Sequence, residues 1–201
     1  SVQTYFGEYA TNRINDKFGS NININKASIQ FNGDIELKNI LIKDHKNDSL
    51  IAIDELNSSI ISFMKINNNK LIFSDIDIYG LYFNIKTYKG EIKNNLDVFV
   101  DRFKKRKKKS TNIFQFKSNS ISINKSRFIL HNENKSKHTV LDFKNLNIEA
   151  DNFIINGPDV SADIDKISFN DQSGIKLKDL KTKFQYSPSS MTLKDLNLKT
   201  Y

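Results

Sequence analysis

Leu37-Lys38-Asn39-Ile40-Leu41-Ile42 returns in altered spelling as Phe73-Ser74-Asp75-Ile76-Asp77-Ile78, Phe143-Lys144-Asn145-Leu146-Asn147-Ile148 and Leu193-Lys194-Asp195-Leu196-Asn197-Leu198. Each copy sets an apolar residue, any residue, an Asn or Asp, a second apolar residue and, two positions on, a third. In a chain this rich in Ile, Leu, Asn and Asp, chance supplies about one strict copy, so the four present here require a structural cause. Looser copies at Ile53-Asp54-Glu55-Leu56, Ile164-Asp165-Lys166-Ile167 and Leu177-Lys178-Asp179-Leu180 extend the series through most of the chain. On both sides of the Asn or Asp the residues alternate as in a strand, but the alternation slips by one residue in the middle. A strand that slips in this way must bulge and bend, or turn apolar on its other face.

Around these phrases the pattern is that of consecutive strands. Asn32-Gly33-Asp34 is a strong hairpin signal, because Asn-Gly accepts the positive φ angles of a tight reversal. Further turn signals fall at 45–48, 67–69, 89–90, 132–134, 156–159, 170–174 and 187–190, mostly at strand-sized intervals. The spacing predicts a mainly β chain folded as an antiparallel meander. Two helical stretches interrupt it. Val2, Phe6, Tyr9, Ala10, Ile14 and Phe18 recur at intervals of three and four, an amphipathic stripe about 25 Å long that Gly19 is placed to end. Leu96, Phe99, Val100 and Phe103 mark a shorter helix or turn after Asn94-Asn95. The expected divisions are an N-terminal helix at 1–20, a β segment at 21–103, a basic flexible loop at 104–112 and a second β segment at 113–201 that continues the same sheet.

The totals fit a folded chain: 38% hydrophobic, 27% charged, 2 Pro, no Cys and no Trp in 201 residues. Without Cys there is no disulfide, thiolate metal site or cysteine catalysis. The net charge of +8 is local. Arg102, Lys104, Lys105, Arg106, Lys107, Lys108 and Lys109 carry seven positive charges, leaving +1 for the remainder. A block of like charges repels itself and reads as a solvated loop, with anionic headgroups or nucleic acid as its candidate partners. No aromatic is interleaved from Lys104 to Lys109 to stack on bases. No window of about 18 apolar residues is present. The start at Ser1 and the stop at Tyr201 read as those of a piece of a longer protein, with room for an anchor before Ser1.

Catalytic constellations are missing. His45, His131 and His138 stand in polar turns without ligand spacing. The Ser-x-x-Lys matches at Ser122 to Lys125 and Ser173 to Lys176 lack their companion motifs. Asp75, Asp77, Asp163 and Asp165 alternate with Ile, on the solvated face of strands rather than in an acid/base pocket. The expectation is a protein that is not an enzyme and holds neither metal nor cofactor.

Longer phrases carry a family resemblance. They are Tyr9-Ala10-Thr11-Asn12-Arg13-Ile14-Asn15, Gln30-Phe31-Asn32-Gly33-Asp34-Ile35-Glu36-Leu37-Lys38-Asn39-Ile40, Lys43-Asp44-His45, Ile53-Asp54-Glu55-Leu56-Asn57, Asp75-Ile76-Asp77-Ile78 with Gly80-Leu81, Asn84-Ile85-Lys86-Thr87-Tyr88-Lys89-Gly90-Glu91, and Asn95-Leu96-Asp97-Val98-Phe99-Val100. This half of the chain resembles the N-terminal periplasmic region of the AsmA-like superfamily, and within it the TamB (translocation and assembly module) family of Bacteroidota. The second half agrees only in style, through Phe143-Lys144-Asn145-Leu146 and Ile155-Asn156-Gly157-Pro158-Asp159-Val160. The resemblance implies an envelope protein anchored in the inner membrane, with a strongly coiled sheet folded lengthwise into an open trough, a β-taco, whose apolar inner face holds phospholipid or other acyl chains. It associates the family with lipid passage to the outer membrane and with outer-membrane protein assembly. On that reading Ile35, Leu37, Ile40, Ile42, Ile76, Ile78, Phe83, Ile85, Phe143, Leu146 and Ile148 line the groove. A second reading is a scaffold that binds an outer-membrane barrel-assembly partner through an exposed strand edge; a third is nucleic-acid binding through the basic run.

Overall fold

The structure, a computed structural model, describes residues 12, 22–29, 33–60, 70–105, 115–135, 139–156, 159–171, 173–187 and 190–200. Apart from Asn12, the helix expected at 1–20 lies outside the described residues, as does most of the basic run, from Arg106 onward. Among the described residues ten strands and one helix follow in the order β1 (Ile22–Ile29), β2 (Asp34–Lys43), β3 (Ser49–Ile60), β4 (Lys70–Tyr79), β5 (Tyr82–Thr87), α1 (Asn95–Lys105), β6 (Gln115–Asn132), β7 (Thr139–Asn156), β8 (Asp159–Asp171), β9 (Lys176–Ser187) and β10 (Ser190–Thr200). All ten strands belong to one sheet of order β1-β2-β3-β4-β6-β7-β8-β9-β10, with β5 between β3 and β6.

The meander is antiparallel except at one place. β4 and β5 run parallel to β6, which corrects the expectation of antiparallel pairing throughout. A parallel neighbour requires a crossover, and α1 lies in it. The Asn94 side chain accepts from the Asp97 amide (2.8 Å) and donates to the Asp97 carboxylate (2.8 Å), capping the helix start. The helix continues to Lys105, two residues beyond the expected boundary at 103.

β4 and β5 are two halves of one line. Glu55↔Tyr79 and Ala52↔Tyr82 keep one register against β3, and Tyr79↔Asn124 and Tyr82↔Arg127 keep one register against β6. The break between the halves is Gly80, at φ +68°. A Cβ there would lie 2.0 Å from Asp54 Oδ2, so only glycine fits both the angle and the space.

Gly80 stands in a row that crosses the sheet. The ladders skip the rungs Asn25/Asn39, Asn39/Asp54, Asp54/Gly80 and Gly80/Lys125, and the β6–β7 ladder is irregular opposite Asn145. Four of these residues are left-handed: Asn39 (φ 52°), Gly80, Lys125 (φ 48°) and Asn145 (φ 49°). From β1 to β5 every strand slips on the same rung, so their mutual register is preserved. A second row crosses β4, β6 and β7, where the ladders skip Ser74/Asn119 and Asn119/Asn152. There β4 gains a residue on β3, β7 gains one on β8 at the left-handed Asn152 (φ 52°), and β10 gains one on β9 at the left-handed Asp195 (φ 55°). Of the four phrase residues, Asn39, Asn145 and Asp195 are left-handed. Asp75 is not, and its slip is made by the extra residue alone.

Backbone groups left over at these seams need partners. Buried hydroxyls provide them. Ser126 Oγ accepts from the Leu81 amide (3.0 Å) and donates to Asn124 O (2.9 Å). Ser58 donates to Asp75 O (2.8 Å), Ser118 to Ser120 O (2.6 Å) and Thr182 to Lys194 O (2.8 Å). All four side chains are buried, and their burial is tolerable because each is hydrogen-bonded.

Gly80→Ala is expected to destabilise the fold by about 2 kcal/mol or more, from the left-handed strain and the clash. Adding Asp54→Ala should recover part of that loss, as a double-mutant cycle in urea would read. Ser126→Ala, which strands the Leu81 amide, should cost about 1–3 kcal/mol.

Candidate functional site

Because strands slip together, apolar residues on both sides of a seam share one face. Ile24, Ala27 and Ile40 form a buried cluster against which Ile22, Leu37, Ile42, Ile53 and Leu56 pack, although Leu37 and Ile40 lie on opposite sides of Asn39. Between the seams, register extends this into a band. Leu37, Leu56, Ile78, Ile123, Ile148 and Ile167 succeed one another across the strands from β2 to β8, and beside them run Ile35, Ser58, Ile76, Ile121, Ala150 and Ile164. Ile76 is 3% exposed; burying such a side chain fully is worth roughly 2 kcal/mol.

Aromatic ladders flank the band. On one side Phe83, Phe128, Phe143 and Phe169 stack edge or face at 5.7, 6.0 and 4.1 Å. On the other, Phe73, Phe116 and Phe153 meet at 5.2 and 5.9 Å. Such ring pairs add about 1 kcal/mol each beyond burial.

The eleven residues picked out in the sequence fall into this arrangement by register. Ile35, Leu37, Ile76, Ile78 and Ile148 are in the band. Ile40 and Ile42 stand beyond the first seam, opposite Ile53 and Ile51, and Phe83 follows Ile51. Phe143 is in the first aromatic ladder, and Leu146 sits buried on the seam opposite Ser126. Ile85 lies outermost, paired with Leu130, which faces Leu141. Of the basic residues, Arg102, Lys104 and Lys105 belong to α1; Arg106, Lys107, Lys108 and Lys109 lie outside the described residues.

The opposite face is charged. Glu36 bonds Lys38 (3.0 Å), and Lys38 bonds Glu55 (3.4 Å). Arg127 grips Asp142 with two 2.8 Å bonds, and that guanidinium, against burial, holds the Asp142 carboxyl below its usual range. Asp75, Asp77 and Asp165 are exposed, as alternation with Ile requires, whereas Asp163, which accepts from Asn152 Nδ2 (2.8 Å), is half-buried.

At the end of the sheet beyond the first seam lies a polar plug that the turn signals alone did not reveal. Asp44, 2% exposed, accepts from the amides of Lys46 (2.8 Å) and Asp48 (3.0 Å), from Asn95 Nδ2 (3.0 Å) and from the Tyr88 hydroxyl (2.7 Å). Asn95, fully buried at the start of α1, accepts from the Lys86 amide (2.9 Å) and donates to Asn84 O (3.0 Å). Its side-chain amide thus fills the place on β5 where a neighbouring strand would bond. His45 Nε2 meets Glu91 at 2.7 Å, Lys86 meets Glu133 at 2.9 Å, and Lys86 lies over the Tyr88 ring at 4.4 Å. Burial opposes the Asp44 charge, but bonds from Asn95, Tyr88 and the two amides outweigh it and lower its pKa. Burial and the two facing carboxylates push the Tyr88 hydroxyl far above its ordinary value.

Among the described residues no group of His, Asp and Glu is arranged to hold a metal ion, and no helix is long and apolar enough to cross a membrane. No protein-family model matches the chain, and no curated protein matches it.

The plug and the Arg127–Asp142 pair set a pH dependence. Asp44 and Asp142 have lowered folded-state pKa values, so their stabilisation is complete above the ordinary aspartate value of 3.8 and is lost as pH falls through the lowered values. Urea melts between neutral pH and pH 2 should show this loss, with a smaller acid-side slope for Asp44→Asn. Tyr88→Phe should cost about 1–2 kcal/mol at neutral pH.

Proposed function

We propose that this chain is a lipid-holding segment of a bacterial envelope protein, in which the seamed sheet coils into an open trough and the aliphatic band lies along its floor. The observation that carries the reading is the band itself: two adjacent in-register rows, almost wholly Ile, Leu and Ala, that cross from β2 to β8. At about 4.8 Å per strand, its six strand lines span roughly 24 Å, longer than an extended sixteen-carbon acyl chain. A closed core would serve for stability with rows of any length. A band of constant chemistry running across the strands serves a long, featureless ligand, which has no polar group to be recognised along its tail. The seams support the trough because an extra or left-handed residue raises local twist and bend.

In this reading the protein works without catalysis, in the periplasm, with the inner membrane reached through an anchor preceding Ser1 and a barrel-assembly partner at the outer membrane. The resemblance to the TamB family of Bacteroidota supports the compartment and the ligand class. The polar plug lies at the end of β5, beyond the first seam and outside the band, so acyl chains enter and leave across the strand order rather than past Asn95.

Photo-crosslinking residues at Ile78, Ile123 and Ile148 should capture phospholipid in cells, well above capture at Asn47 or Lys117. Equal capture at all five positions would sink the reading. Ile78→Lys should abolish capture at Ile123 and Ile148, with folding checked by the urea midpoint.

A further inference from the structure

In the middle of the charged face stands an exposed aromatic ring. Tyr79 is 45% exposed and is in register with Glu55 of β3 and Asn124 of β6. Two residues earlier on the same face, Asp77 is in register with Asn57 and Ser122. Glu55, Asn57, Asp77, Tyr79 and Asn124, with the strand at Ile78 between them, line an open cleft of about 410 Å³, a size that suits a small ligand.

What the cleft can still bind follows from what its groups already hold. The two that would draw a cationic ligand are served from within the chain: Lys38 bonds Glu55 (3.4 Å), and Lys125 Nζ lies 5.3 Å from the centroid of the Tyr79 ring. Asn57 Nδ2 donates to Glu55 (2.7 Å) and Asn124 Nδ2 to Ser122 Oγ (2.9 Å), which leaves the Oδ1 of each amide to accept. Among the described residues the Asp77 carboxylate has neither an ion pair nor a hydrogen bond. One aromatic ring and three open acceptors therefore remain, on rungs about 6.8 Å apart along the strands and about 4.8 Å apart across them. A pyranose ring complements this set. Its C–H groups pack against an aromatic surface, and its hydroxyls donate to amide and carboxylate oxygens.

We propose that this cleft is a binding subsite for one ring of an uncharged glycan, with Tyr79 against the sugar's C–H surface and Asp77, Asn57 and Asn124 accepting from its hydroxyls. Asp77 and Glu55 exclude sugars that carry a carboxylate, since like charges would face each other without a cation between them. The cleft and the aliphatic band lie on opposite faces of the same strands, so sugar binding and acyl capture stand or fall separately.

Calorimetric titration of the 201-residue chain with cellotetraose and with chitotetraose tests it, beside tetragalacturonate and n-butylammonium chloride. At least one of the two neutral oligosaccharides should bind with a Kd of about 1 mM, and the acidic one should not bind. Tyr79→Ala and Asp77→Ala should each weaken binding about tenfold. Tyr79→Phe, which keeps the ring, should retain it, as should Lys166→Ala elsewhere on the same face. Urea midpoints of each variant separate misfolding from a lost site. Absence of binding by both neutral oligosaccharides up to about 10 mM, binding that survives Tyr79→Ala, or tetragalacturonate binding as well as the neutral sugars overturns the proposal. Tyr79-dependent binding of n-butylammonium without binding of either neutral sugar would mark a cation site instead and overturn it equally.

Discussion

Everything in this fold depends on keeping apolar side chains on one face of strands whose alternation does not stay in step. A flat strand fixes the facing of every residue by its parity, and a step of one reverses all that follow. This chain cancels the reversal locally, with a left-handed residue or an extra residue at the step, so that Leu37 and Ile42 end on the same side. Asn and Asp suit the left-handed steps because their short side chains bond the backbone nearby; Asn147, next but one to Asn145, bonds both Asn145 O and the Lys125 amide. The hydroxyls of Ser58, Ser118, Ser126 and Thr182 then become intelligible. They occupy positions that parity assigns to the apolar face, and the backbone at the seams is what they serve.

The two faces divide labour in a way that the overall charge conceals. The positive excess sits in the run from Arg102 to Lys109, while the polar face of the sheet is a lattice of neighbouring opposite charges. Such exposed pairs contribute little stability each. Their use is to keep that face soluble; they do not select the register, since the native ladders themselves set Lys26 opposite Lys38 and Lys194 opposite Lys183. Cohesion comes from the other face and from the plug, where Asp44 and Asn95 trade solvent for a full set of bonds.

Much of the sheet was legible in the sequence because its signals are local. Asn32-Gly33, Lys89-Gly90 and the turn at 170–174 mark reversals that the structure contains, with Gly33, Gly90 and Gly174 all at positive φ. The repeated phrase pointed to Asn39, Asn145 and Asp195 as places of unusual backbone, and they are. Lys125 escaped notice because Lys stands there where the phrase has Asn or Asp, with Ser126 after it; Asn152 escaped because its copy, Ala150-Asp151-Asn152-Phe153-Ile154-Ile155, opens on a small Ala where the others open on Leu or Phe. The parallel pairing of β4 with β6 was missed for a different reason. The helix in its crossover was seen at Leu96 to Phe103, but the direction of a strand is a long-range choice that leaves no mark in its own residues. The plug was illegible for the same cause: Asp44, Tyr88 and Asn95 are separated by up to 51 residues, and each alone reads as an ordinary turn residue.

The first seam also has a mechanical meaning. A hydrogen-bonded sheet resists folding across its strands because every rung would have to distort together. Here one rung is already interrupted in each ladder from β1 to β7, as a card is scored before it is folded. Bending stiffness is therefore lowest along that line and high on either side. The sheet can change its curvature about a fixed crease while the in-register rows between creases keep their spacing, which lets the width of the apolar face vary without the loss of a single paired strand.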